Sequence, residues 1–146
     1  MEDLRSDDPV RQASGSPAVP LPASAAHARE RVLEVLKDYF GPRYAEALCD
    51  DVVIADALLV TSELAGNALR HGGGITGFDA RCADDRLTLT VSDASDRMPP
   101  EAGDLSVGPT GTGGYGWALA CGLARDVTIT PRSTGGKTVT AHLRLR

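Results

Sequence analysis

Glu63-Leu64-Ala65-Gly66-Asn67-Ala68-Leu69-Arg70-His71 closes an apolar run that begins near Val52. Its polar members Glu63, Asn67 and His71 recur at steps of four residues. On an α-helix that spacing lines them up as one stripe, each a turn beyond the last. A carboxylate, a carboxamide and an imidazole aligned along an otherwise oily helix need something to face. What lies opposite that stripe decides how the rest of the chain is read.

On the N-terminal side, Ser24 is placed to cap a helix that runs to about Phe40. Val32, Leu33, Val35, Leu36 and Phe40 supply its apolar face, and Gly41-Pro42 stops it. A second helical region is predicted from about Arg43 to His71, with a break near residues 49–51. Gly72-Gly73-Gly74 ends it by offering backbone positions with positive φ. Earlier still, residues 1–16 are rich in Asp, Ser, Gly, Pro and Arg and have little to bury, so a disordered tail is expected there. Ala18-Val19-Pro20-Leu21-Pro22 reads as an extended or edge piece. The folded domain is expected to occupy residues 17–146.

On the C-terminal side two strands follow, Ile75 to Cys82 and the strictly alternating Leu87 to Val91, joined by a turn at Ala83-Asp84-Asp85-Arg86. From Ala94 to about Gly113 the chain has no period, and a loop of that length in a compact domain points to a lid or binding loop. Gly114 to Ala124 reads as a helix opened by glycines. Val127 to Thr130 and Thr138 to Leu145 are strands around a turn at Pro131 to Gly136. The fold class expected is α+β: a two-layer α/β sandwich with helices on one face of a mixed, mostly antiparallel sheet. Strands in adjacent pairs exclude a doubly wound fold.

Bulk properties narrow the function classes. A chain of 146 residues suits one domain with a single core. Aromatic residues make up only 4%, so Val, Leu, Ile and Ala must fill that core. A net charge of -5 excludes a general binder of nucleic-acid backbone. No apolar run approaches the roughly 18 residues of a membrane span, and the acidic, polar N-terminus has no signal-peptide pattern. A cytoplasmic protein is expected. Cys49, Cys82 and Cys121 form no CxxC pair, and small buried hydrophobes account for them.

Four features carry chemistry. Gly111-Thr112-Gly113-Gly114-Tyr115-Gly116 leads into a helix, where unpaired amides and absent side chains suit a phosphate. It has neither the Lys-Ser/Thr of a Walker loop nor dinucleotide spacing, and a plain linker is the alternative reading. Asp93, ending an alternating strand, reaches a cleft where its carboxylate could accept from an exocyclic amine such as adenine's; a turn cap is the alternative. Asn67 offers one amide oxygen to magnesium, which keeps several waters when it bridges phosphates. Glu63, a turn earlier, can orient or deprotonate a nucleophile, and a solvated helix face is the alternative reading of the stripe. His71 either joins that stripe or complements the helix dipole. Gly135-Gly136-Lys137-Thr138 is a hairpin turn by type, from which Thr138 is expected to present its hydroxyl to the same cleft.

Taken in this order, the features resemble the ATP-binding domain of the GHKL superfamily, which includes gyrase, heat-shock chaperones, histidine kinases and mismatch-repair ATPases. More closely they resemble the small stand-alone anti-sigma-factor serine/threonine kinases abundant in actinobacteria. The resemblance covers about residues 18–146. It implies an N box at Glu63 to Gly72, with Asn67 on magnesium and Glu63 as general base. It implies a first glycine box at Asp93 to Pro99, with Asp93 on the adenine amine and Ser95 in the family's glycine place. It also implies a second glycine box at Gly114-Tyr115-Gly116-Trp117-Ala118-Leu119, whose amides, with Gly111 and Gly113 before them, hold the phosphates. Thr138 falls where the family has a threonine near adenine. Tyr115 and Trp117 replace the arginine and leucine of the usual second box, which removes a cation that Lys137 or Arg70 could replace.

The function implied is transfer of the ATP γ-phosphoryl to a Ser or Thr of an antagonist protein in a partner-switching system, with ATP and Mg2+ as ligands. A non-catalytic ATP-binding regulator that sequesters a sigma factor or other partner is the alternative. The partners implied are the anti-sigma-factor antagonist and a sigma factor, without nucleic acid or membrane. Relatives of this type often pair as homodimers.

Overall fold

The computed structural model describes residues 20–50, 52–97 and 114–145. Within them the chain runs α1 (Ala25–Phe40), a short 3-10 turn (Gly41–Arg43), α2 (Tyr44–Asp50), α3 (Val53–His71), β1 (Ile75–Ala83), β2 (Arg86–Asp93), α4 (Gly114–Leu123), β3 (Asp126–Pro131) and β4 (Lys137–Arg144). The expected disordered tail, residues 1–16, lies outside the described residues, as does most of the long connection between β2 and α4.

Local chemistry sets the helix ends. The Ser24 hydroxyl accepts from the His27 amide at 3.0 Å and caps α1. Gly41, at φ 56°, closes it with its amide on the Lys37 carbonyl. α1 buries Ala28, Val32, Leu36 and Phe40, one residue per turn. The expected break in the second helical region falls between α2 and α3. α3 ends in the glycine run: the Gly72 and Gly74 amides both reach the Ala68 carbonyl at 3.0 Å, with Gly73 and Gly74 at positive φ.

The sheet has the order β1-β2-β4-β3, and every pairing among the described strands is antiparallel. The parallel component allowed for in a mixed sheet is therefore not found among them. Helices cover one face. Leu87, Leu89 and Val91 of β2 and Val139, Ala141 and Leu143 of β4 point into the core with Val32, Leu36, Ile54, Val60 and Leu64. Each Val, Leu or Ile among them contributes roughly 1.5–3 kcal/mol of burial. Trp117 of α4 is buried in the same core.

The opposite face is polar. It carries Thr88, Thr90 and Ser92 from β2 and Thr138, Thr140 and His142 from β4, in register. Among the described residues no single helix is long and apolar enough to cross a membrane. Cys82 and Cys121 are free and half-buried, and burial pushes the Cys82 thiol up to about 11. Both behave as small hydrophobes rather than reactive thiols.

Candidate functional site

The site is built where the C-terminus of α3 meets the ends of β2 and the start of β4. Asp93 continues the core-facing parity of Leu87, Leu89 and Val91, so its side chain turns toward the helices. It is 5% exposed. A Cβ built on Gly72 would lie 2.5 Å from the Asp93 Cγ, so only glycine lets the helix end rest on this carboxylate. The Ala94 amide donates to the Gly72 carbonyl at 2.8 Å and ties the two elements together. From the other side, a Cβ on Gly136, at φ 83°, would meet the Asp93 carbonyl oxygen at 2.1 Å. Two glycines thus enclose one aspartate.

A carboxylate packed against a helix C-terminus faces the negative end of the helix dipole. Lys137 offsets this. Its Nζ lies 3.0 Å from Asp93 Oδ2 and 3.2 Å from Oδ1, and it donates to the Ser95 carbonyl at 3.3 Å. Both side chains are under 10% exposed. The Ser95 amide donates to Asp93 Oδ1 at 2.9 Å, and Asp96 Oδ1 accepts from the Gly136 amide at 2.8 Å. The first residues after β2 are therefore pinned to the start of β4. An ionised carboxylate accepts about four hydrogen bonds. Among the described residues Oδ2 carries only the lysine contact, which leaves it room for one further donor.

Glu63 and Asn67 are half-buried on α3, and His71, its last residue, is exposed. Asn67 stands five residues before Gly72, roughly 7.5 Å along the helix from the contact with Asp93. Its Oδ1 accepts from Arg70 Nη2 at a long 3.4 Å, so the carboxamide is lightly held. Glu63 has no hydrogen bond or ion pair among the described residues. No cluster of three metal-ligating His, Cys, Asp or Glu side chains exists among the described residues. That donor set does not make a metal cage. Asn67 would hold a Mg2+ ion through one amide oxygen only, so such an ion would depend on its ligand for the rest of its charge balance.

Two expectations about the site change. Thr138 does not face Asp93. Its hydroxyl lies 2.8 Å from that of Ser92, its register partner, on the polar outer face of the sheet. Residues alternate along a strand, so the residue beside Asp93 is Lys137, paired with it in register. Of the two cations expected to stand in for the arginine of the family's second glycine box, Lys137 is paired with Asp93, while Arg70 extends along α3 toward Gly66 and Asn67. Gly111 and Gly113 lie outside the described residues. Gly114, Tyr115 and Gly116 form the first turn of α4.

The sequence pattern described as "Histidine kinase-like ATPase domain" matches residues 21–143. No curated protein sequence matches the chain. Among solved structures, the chain is similar to the Acinetobacter baumannii histidine kinase AdeS, with 19% identity, a TM-score of 0.46, and coverage of 80% of this chain and 64% of that one. It is also similar to the catalytic domain of the histidine kinase ThkA, with 13% identity, a TM-score of 0.47, and coverage of 79% and 92% respectively. The chain thus spans just under two-thirds of the AdeS chain.

Proposed function

From the chain's membership of the histidine kinase-like ATPase domain family, which implies ATP binding, we propose that it is a protein serine/threonine kinase of the anti-sigma-factor type. It would transfer the γ-phosphoryl of ATP to a Ser or Thr of an antagonist protein within a partner-switching system. One observation carries the reading: a buried aspartate is held against the end of the same helix that displays Glu63 and Asn67.

Each residue has a defined task in this reading. Asp93 accepts from the adenine amine and fixes the base. Asn67 presents its amide oxygen toward the phosphates, where bound Mg2+ supplies charge neutralisation. Glu63 accepts the proton of the acceptor hydroxyl as the oxygen attacks phosphorus. Catalysis then rests on positioning and charge stabilisation. The antagonist, a sigma factor as the regulated partner, a homodimer and a cytoplasmic location belong to the same proposal.

The buried Lys137–Asp93 pair favours a second reading, a non-catalytic regulator in which nucleotide orders the fold for partner capture. A lysine on the base-binding carboxylate strengthens the scaffold and adds nothing to transfer. Thermal unfolding with and without Mg-ATP tests the shared premise. At a hundredfold excess over Kd the ligand adds roughly 2.7 kcal/mol, and no shift at millimolar Mg-ATP refutes both readings. Incubation with labelled ATP and a candidate antagonist separates them. Glu63→Ala is expected to keep the thermal shift and lose label transfer, and equal transfer by wild type and variant removes Glu63 from its role.

A further inference from the structure

Asp93 is enclosed by groups of two kinds. Gly72 and Gly136 approach it with bare main chain, and neither position has space for a Cβ. That backbone is tied in place by the hydrogen bonds from Ala94 to Gly72 and from Gly136 to Asp96. Lys137 supplies the remaining polar cover, and it does so with a charged group on a flexible four-carbon stem. Its ammonium has three N–H groups and three acceptors within 3.3 Å: both oxygens of Asp93 and the Ser95 carbonyl. With the lysine in this position the Asp93 side chain is 6% exposed. The acceptor that remains on Oδ2 is out of reach of a donor arriving from solvent until Lys137 moves.

A second carboxylate stands beside the same lysine. Asp96 Oδ1 accepts at 2.8 Å from the amide of Gly136, the residue before Lys137. Asp96 is exposed, and among the described residues it makes no ion pair. Lys137 thus has two acids to choose between. One is buried and already paired with it; the other faces solvent and is anchored to the turn that carries the lysine. The buried position engages all three N–H groups in a dry setting, where each contact is stronger than in water. The exposed position offers hydration and a single carboxylate. Transfer between the two retains the cation, unlike its deletion, which leaves a buried carboxylate without a partner.

We propose that Lys137 is a gate on the nucleotide site with two positions: closed on Asp93, where its ammonium holds the acceptor needed by the base, and open on Asp96, where that acceptor is released. The inference rests on the assignment of a base amine to Asp93 made above. An exocyclic amine and a lysine ammonium are both N–H donors, so they compete for one carboxylate. The closed position is the one in the structure. Nucleotide then binds only the fraction of molecules that are open, and the apparent affinity falls by that fraction. With the open state at about 10% or below, typical of a minor conformer, the loss is roughly tenfold or more. The lysine thereby sets how much nucleotide fills the site, separately from the chemistry of transfer.

The test is calorimetric titration of the full chain and two variants with Mg-ATP. Lys137→Gln removes the charge and is expected to bind roughly tenfold tighter than wild type. Asp96→Asn keeps an oxygen for the Gly136 amide and removes the charge of the open position, so it is expected to bind several-fold more weakly. Opposite signs are the signature of a gate, because a merely structural role weakens binding in both. If Lys137→Gln does not fold, Asp96→Asn and the wild type decide: the side-chain ammonium NMR signal of Lys137 is expected to shift at saturating Mg-ATP. Equal or weaker binding by folded Lys137→Gln, unchanged affinity in Asp96→Asn, or a Lys137 signal that stays in place at saturation overturns the gate. The base assignment outlives that result where Asp93→Asn still abolishes binding. Absence of Mg-ATP binding in the wild type and every folded variant overturns the assignment itself, and the gate with it.

Discussion

Two ion pairs of the same chemistry stand on opposite faces of this sheet. Arg81 Nε lies 2.8 Å from Asp79 Oδ2, and Lys137 Nζ lies 3.0 Å from Asp93 Oδ2. The shorter one is exposed, with 75% and 50% of its side chains accessible; the longer one is buried, at 8% and 6%. Distance does not rank them. An exposed pair exchanges good hydration for a weak, screened attraction and contributes about 0–1 kcal/mol. In the buried pair both charges have already left water, and each depends on the other to offset that cost. One pair is a surface ornament of β1. The other fixes Asp93, the residue to which the proposed function assigns the nucleotide base.

Lys137→Met therefore has the largest expected effect. It leaves Asp93 buried against a helix C-terminus with no cation, and about 3–5 kcal/mol of stability should be lost. Urea unfolding reads this as a lower midpoint at unchanged slope. Adding Asp93→Asn to that variant should recover much of the loss, because the uncompensated charge is gone. The double variant should fold without showing a thermal shift with Mg-ATP. A loss under 1 kcal/mol in the single variant breaks the contrast, since Asp93 would then be solvated despite its burial.

Gly72→Ala comes next. The new Cβ falls 2.5 Å from Asp93 Cγ, and Lys137 and the Ser95 amide prevent the carboxylate from swinging aside. Overpacking of this kind costs typically 1–3 kcal/mol. Nucleotide affinity should fall along with stability, because the carboxylate is what must move. Stability lost with unchanged Mg-ATP affinity would show that Asp93 is not the base-binding group.

The contrast also shows which parts of the molecule could be read from residue order alone. The helix stripe, the Ser24 cap, the glycine stop after His71 and the alternating strands were legible because each is a local pattern with a local physical cause. The break between α2 and α3 and the turn at residues 83–86 were legible for the same reason. The position of Lys137 is not legible in this way, although its signal is present in the strand parity. Leu87, Leu89, Val91 and Asp93 share one parity, and Val139, Ala141 and Leu143 share another that includes Lys137. Joining the two needs the register between β2 and β4, a long-range pairing that no single segment encodes. Thr138, at a position that resembles the family's, lies on the other side of the strand beside Ser92. In sequence Gly72 is a helix stop, and its second task, leaving space for Asp93, emerges only when α3 and β2 are packed.

The smallest expected effect completes the comparison. Arg81→Ala removes a guanidinium that mostly faces water, and the hydrogen bond to Asp79, two residues away on the same strand, does not join distant parts of the fold. A double-mutant cycle over Arg81 and Asp79 should return a coupling of about 0–1 kcal/mol that fades in molar salt, where the Debye length shrinks to about 3 Å. The same cycle over Lys137 and Asp93 should return several-fold more and barely respond to salt, because no counter-ion reaches the pair. If both couplings fade equally with salt, the cleft around Asp93 is open to solvent. The buried carboxylate would then be just another surface acid, and the adenine reading would lose the dry environment that makes one hydrogen bond selective.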